Sequence, residues 1–109
     1  MIIRRILKEE FIKLKEFFPG NEELWIKYKE QRLKQFDNKE IDVYVIEEEG
    51  TFIGELTVNY ISRDLLAETI PNIRVYFEAF RIDKKYQGKG LGQKLMQNTI
   101  NDLKEKGFT

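Results

Sequence analysis

Residues 87–92 read QGKGLG, between VYFEAFRIDKKY and QKLMQNTINDLKEKG, and three of the chain's seven glycines fall within this stretch. An apolar run precedes the glycines and a helical pattern follows them. The start of a helix leaves backbone N–H groups without carbonyl partners and carries a partial positive charge, so it accepts an anion that can come close to the backbone. Side chains obstruct that approach, and glycine has none. Gly88, Gly90 and Gly92 surround the helix start, while Lys84, Lys85, Lys89 and Lys94 add positive charge around it. The stretch reads as a strand, a basic connection, a glycine turn for an anion and a helix. A purely structural tight turn uses the same residues. Neither well-known nucleotide loop fits. The Walker spacing with its Lys-Ser/Thr pair is missing, and the dinucleotide pattern needs a glycine at 93, where Gln93 stands.

Working outward, residues 91–106 place Leu91, Leu95, Met96, Ile100 and Leu103 on one helical face, with Gly107 as the C-terminal cap. Residues 73–82, upstream of the turn, form an aromatic-rich strand. Before it, residues 63–72 are a connection, and residues 41–49 and 51–62 alternate with period two around Gly50 as an antiparallel hairpin. In the first of these strands Ile41, Val43 and Val45 alternate with Asp42 and Tyr44, and in the second Leu56, Val58 and Tyr60 alternate with Glu55, Thr57 and Asn59. Residues 2–7 make a further strand. Residues 8–18 show helical spacing through Phe11, Leu14 and Phe18, stopped by Pro19-Gly20. A second helix follows Asn21 as its cap, with Trp25, Tyr28 and Phe36, and Leu24 and Leu33 beside them, as its buried stripe. The expected order is strand, two helices, three strands and a helix: a mixed α/β (α+β) domain with a mainly antiparallel sheet in sequential order, helices on both faces, and the last helix behind the fourth strand.

Composition limits what this domain does. A chain of 109 residues forms one domain, residues 1–109, and 41% hydrophobic with 35% charged residues is ordinary for a globular protein. Lys+Arg and Asp+Glu are equal at 19 each, so no overall field draws the chain to nucleic acid or an anionic membrane. With neither cysteine nor histidine, disulfides, thiolate chemistry, a Ser-His-Asp arrangement and most zinc sites are excluded, and no metal is expected. The charged N-terminus lacks the apolar stretch of a signal peptide, and a cytoplasmic location is expected.

Gln87, Gly90 and Gly92 match the Q/R-x-x-G-x-G/A motif, and DKKYQGKGLGQKLM with its preceding strand resembles the most characteristic segment of the GCN5-related N-acetyltransferases (GNAT family). The earlier strand, two helices and hairpin are similar to that family's N-terminal half. The resemblance implies the GNAT-like acyl-CoA N-acyltransferase fold and transfer of acetyl from acetyl-CoA to a primary amine. It also implies that main-chain groups of Phe80, Arg81 and Ile82 contact the pantetheine arm, and that Gln87, Gly88, Lys89, Gly90, Leu91 and Gly92 hold the phosphates. Family members continue past the last helix with further strands and a helix, and they commonly draw a tyrosine acid from that region. Here KEKGFT reaches only the start of the next strand. The expectation is therefore a truncated domain with a cofactor half-site and an open edge on its fourth strand, which favours a homodimer through that edge.

Direct transfer needs a base to deprotonate the amine. Glu78 is the candidate, read as in phase with Tyr76 and Phe80 and in apolar surroundings that raise its pKa; a solvent-facing strand glutamate is the alternative. Tyr60 and Tyr76 are candidates for an acceptor pocket or for packing, and Trp25 and Tyr28 for an acceptor border or for core. Glu47-Glu48-Glu49 reads as a solvated hairpin end or a lure for a cationic acceptor. Three functions are compatible with these residues: an N-acetyltransferase of unknown acceptor, a non-catalytic acyl-CoA-binding module, and an interaction domain that uses the sheet edge.

Overall fold

The computed structural model describes residues 1–17, 22–60 and 75–106. Strand β1 (Ile2–Arg5) leads into a 3-10 helix (Lys8–Phe17), then α1 (Glu22–Asp37), β2 (Ile41–Glu48), β3 (Thr51–Asn59), β4 (Tyr76–Ile82), a 3-10 turn (Lys84–Tyr86) and α2 (Leu91–Glu105). The four strands form one antiparallel sheet in the order β1-β2-β3-β4, as the period-two segments predict. The expected connection at 63–72, the first residues of the expected fourth strand, Phe18, Pro19-Gly20, the Asn21 cap and Gly107 lie outside the described residues.

The segment expected to be an α-helix over 8–18 is instead a 3-10 helix. Two features favour the tighter winding. Phe11 and Leu14, three residues apart, are both fully buried, which suits three residues per turn. The Glu10 carboxylate also accepts from the Leu7 amide at 2.9 Å while Arg4 holds it from β1, fixing the entry to the segment.

Helices cover both faces of the sheet. On one face the 3-10 helix and α1 bring Phe11, Leu14 and Trp25 against Val43, Val45 and Phe52. The Phe11 and Trp25 rings stack at 5.8 Å. Leu24, expected in this stripe, is exposed instead. On the other face α2 lays Leu91, Leu95 and Leu103 over Tyr44, Ile46, Leu56 and Val58. Each such side chain taken fully out of water contributes about 1.5–3 kcal/mol. Thus α2 sits mainly behind β2 and β3 rather than behind β4, which it meets near its N-terminal end through Phe80 and Ile82.

Because both faces are covered, the polar positions of the hairpin strands are not wet. Tyr44 is buried under α2, where its hydroxyl donates to Asp102. Glu55 and Thr57 are fully buried and Asn59 nearly so, beneath α1. Each buried face mixes apolar and polar side chains: Val43 and Val45 with Glu55 and Thr57 beneath α1, and Ile46, Leu56 and Val58 with Tyr44 beneath α2.

Candidate functional site

The turn after β4 is built by local hydrogen bonds. The Asp83 carboxylate accepts from the Lys85 amide at 3.0 Å and caps the 3-10 turn. The Gln87 side chain donates Nε2 to the carbonyl of Ile82 at 2.9 Å and folds the turn back onto the strand end. Gln87 therefore shapes the turn with its side chain, while its own amide donates to the Lys84 carbonyl at 3.4 Å. Lys89 Nζ lies 5.6 Å from the centre of the Tyr86 ring, a cation–π distance.

Gly88 and Gly90 have φ of +79° and +76°, in the left-handed region that side chains strain. A Cβ built on either has no other heavy atom within 4 Å, so both backbones face open space. Gly90 is the N-cap of α2, and its carbonyl accepts the Lys94 amide at 3.2 Å. The amides of Leu91, Gly92 and Gln93 precede that bond and have no partner within the helix. Gly92 serves a different need, because a Cβ there meets Phe80 Cζ at 3.2 Å.

Beside this turn lies an open cleft of about 880 Å³, lined by Phe80 of β4, Gly90, and Gly92, Gln93, Lys94 and Met96 of α2. The structure thus brings together Phe80, Gly90 and Gly92 from the expected set. Leu91 is a core side chain and offers only its main chain. Arg81 sends its side chain to the opposite face of the sheet, toward Glu55.

Glu78 also lies on that opposite face, and here the sequence expectation is corrected. Thr57 pairs with Glu78 and Glu55 with Arg81, so Ala79 and Phe80 together oppose Leu56 in a β-bulge, with Ala79 at φ +48°. The bulge changes the phase: Tyr76 and Glu78 face α1, while Phe80 faces α2 and the cleft. Nor are the surroundings of Glu78 apolar. Its Oε2 accepts from Arg32 Nη1 and its Oε1 from Asn59 Nδ2, both at 2.9 Å.

Around Glu78 a buried polar network joins α1 to β3 and β4. The Tyr28 hydroxyl donates to Glu55 Oε1 at 3.4 Å, and the guanidinium carbons of Arg32 and Arg81 lie 5.2 and 5.5 Å from the Tyr28 ring centre. Burial pushes the Glu55 carboxyl up to about 7, against the opposing pull of Arg81, the Tyr28 hydroxyl and Arg32. Its Oε2 has no hydrogen-bond partner among the described residues. Glu55 escaped the sequence reading because a period-two polar residue looks solvated. The usable signal was the expected pair of helical layers, which leaves a central strand no wet face.

The remaining candidates have structural places. Trp25 is core, and the Tyr60 hydroxyl donates to Asp42 at 2.5 Å. Glu47 accepts from Arg4 at 3.0 Å, and Glu49 occupies the hairpin turn.

Residues 3–109 match the sequence family described as the acetyltransferase (GNAT) family. No curated protein sequence matches the chain. Among solved structures it is similar to an aminoglycoside acetyltransferase from an uncultured soil metagenomic sample, with a TM-score of 0.72, 22% identity and coverage of 99% of this chain and 72% of that one. A predicted acetyltransferase from Clostridium acetobutylicum, crystallised with acetyl-CoA, gives a TM-score of 0.71 at 12% identity over 99% of this chain and 76% of that one. An acetyltransferase from Vibrio fischeri gives 0.68 at 22% identity over 100% and 91%.

Proposed function

Because the chain belongs to the GNAT acetyltransferase family, we propose that its glycine turn holds the pyrophosphate of acetyl-CoA and that Glu78 serves the transfer of the acetyl group to a primary amine. The observation that carries this reading is the pair of left-handed glycines facing open space at a helix start, beside a cleft lined by Phe80. Main-chain amides over Gly88, Lys89, Gly90, Leu91 and Gly92 face the phosphates in this reading, and Gln87, whose amide is held by the Lys84 carbonyl, shapes the turn that presents them. Phe80, Arg81 and Ile82 offer main-chain groups to the pantetheine arm as an added strand would, since β4 pairs only with β3 among the described strands.

Acetyl-CoA supplies the activated acyl group as a thioester. As the amine nitrogen bonds to the acyl carbon, the carbon–sulfur bond breaks, the Glu78 carboxylate takes the proton lost by the amine, and coenzyme A leaves as a thiolate that is protonated by solvent while Glu78 returns its proton to solvent. A non-catalytic acyl-CoA module is the second reading, favoured by one observation: both Glu78 oxygens already accept hydrogen bonds. Calorimetry with acetyl-CoA and thiol release with a panel of amino sugars, polyamines, peptide N-termini and lysine test both readings. Binding with amine-dependent thiol release is the expected result; binding without release supports the second reading, and no binding removes both.

The proposal extends to a single domain over residues 1–109, in the cytoplasm where acetyl-CoA is met, without a nucleic-acid or membrane partner. The charge balance supports this, with 19 residues of each sign. Among the described residues no helix is long and apolar enough to cross a membrane. A homodimer through the edge of β4 ahead of the bulge, which the pantetheine arm leaves free in this reading, is supported by the exposed Phe77. Light scattering at high concentration is expected to show twice the monomer mass; a clean monomer removes the dimer.

A further inference from the structure

Glu55 is the only fully buried acidic side chain among the described residues. It lies directly opposite Arg81 across the β3–β4 ladder, the first paired position after the bulge at Ala79 and Phe80. A bulge inserts an extra residue and bends the strand, so the ladder before it does not dictate which way the residues after it face. Something beyond the bulge has to set that phase. Arg81 Nε is 3.8 Å from Glu55 Oε1, and its guanidinium lies over the Tyr28 ring. Successive side chains of a strand point to opposite faces. With Arg81 held on the α1 face, Phe80 and Ile82 are presented to the other face, where Phe80 lines the cleft and Ile82 lies 3.8 Å from the Cβ position of Gly92.

We infer that Glu55 is a positioning residue for the acetyl-CoA site: its carboxylate holds Arg81 beneath α1, and Arg81 thereby holds Phe80 and Ile82 against the glycine turn. The inference rests on the proposed cofactor cleft. The groups facing Glu55 are Tyr28 and Arg32 of α1 and Arg81 of β4, with Glu78 beyond them on Arg32. From β2 the opposing residue is the apolar Val45.

Glu55 titrates at about 7 in the fold against 4.5 for a free glutamate. Two signs follow. The folded protein keeps a proton that the unfolded chain releases, so the stability linked to this group is present below the unfolded value and is lost as pH rises through about 7. The anchoring of Arg81 runs the other way, because it needs the charged form and weakens as pH falls through the same range. Binding and stability thus respond oppositely to one carboxyl.

The test measures acetyl-CoA affinity by calorimetry, together with melting curves, for the natural chain and Glu55→Gln at about pH 6 and about pH 8. The variant is expected to bind about tenfold more weakly at the higher pH, within the ordinary range of coupling between sites. The difference should shrink to about twofold at the lower pH, while the variant melts no lower than the natural chain at the higher pH. Arg81→Gln should weaken binding similarly, and the double variant should be no worse than either single one. Equal affinities at the higher pH, a loss independent of pH, additive losses, or a variant that melts lower there would each overturn the positioning role and leave the cofactor reading standing. If the natural chain binds no acetyl-CoA at either pH, both fall together.

Discussion

Gly90→Val is expected to weaken acetyl-CoA binding by at least about a hundredfold, because hydrogen bonds to charged groups contribute roughly 1.5–3 kcal/mol each and the substitution disrupts more than one. The valine does two things. It forces a β-branched side chain into a left-handed backbone at φ +76°, and it places carbon in space that is open in the folded chain. The first effect disturbs the turn that aims the amides of Leu91, Gly92 and Gln93; the second blocks the approach of a phosphate to them. Gly50 separates the two. It has φ +81° and equally open surroundings, but sits in the β2–β3 hairpin turn, away from the cleft. Gly50→Val should therefore cost similar stability while leaving the dissociation constant unchanged. Calorimetry on both variants decides the matter: unchanged affinity in Gly90→Val sinks the phosphate assignment, and equal loss in both variants reduces the effect to strain.

Glu78→Gln is expected to lower the rate of acetyl transfer by about 10²–10³-fold, the ordinary contribution of a positioned base. Affinity for acetyl-CoA should hardly change, because Glu78 is not among the residues that line the cleft. Glutamine keeps an oxygen for Arg32 but carries no charge and accepts no proton. Arg32 is largely buried at 8% exposure, so a moderate loss of stability should accompany the change. Single-turnover thiol release at saturating acetyl-CoA, with melting as the control, separates chemistry from folding. A rate within about twofold of the natural chain would remove Glu78 as the base, since even a modest general base contributes far more.

Much of this arrangement was legible in the sequence because its signals are local. The spacing of Gly88, Gly90 and Gly92 against an apolar run and a helix start marks a left-handed turn into a helix, and the period-two run around Gly50 marks a hairpin. Leu91, Leu95 and Leu103 recur at helical spacing and are buried as expected. The 3-10 winding of Lys8–Phe17 was not readable, since Phe11 and Leu14 are compatible with either helix type until the sheet and Arg4 choose between them.

Glu78 and Glu55 mark where sequence reading stops. The phase of β4 flips at Ala79, and nothing in YFEAFRI announces a bulge, so alternation alone joined Glu78 to Phe80 on one face. Glu55 looked wet because one strand's pattern does not say what covers it. From the sequence alone came the strands, the helices and the glycine turn, set by backbone conformation and short-range periodicity, and, through the motif Gln87, Gly90 and Gly92, the resemblance to an acetyl-CoA-binding family. Only the tertiary structure decided which side chains of β3 each helix covers and that the bulge sends Glu78 and Arg81 away from Phe80. It also decided that the Glu55 carboxyl, one oxygen of which has no hydrogen-bond partner among the described residues, lies beneath α1, where burial pushes its pKa up to about 7. The physical reason is that burial and electrostatics depend on which elements pack together, whereas turns and periods depend on neighbours along the chain.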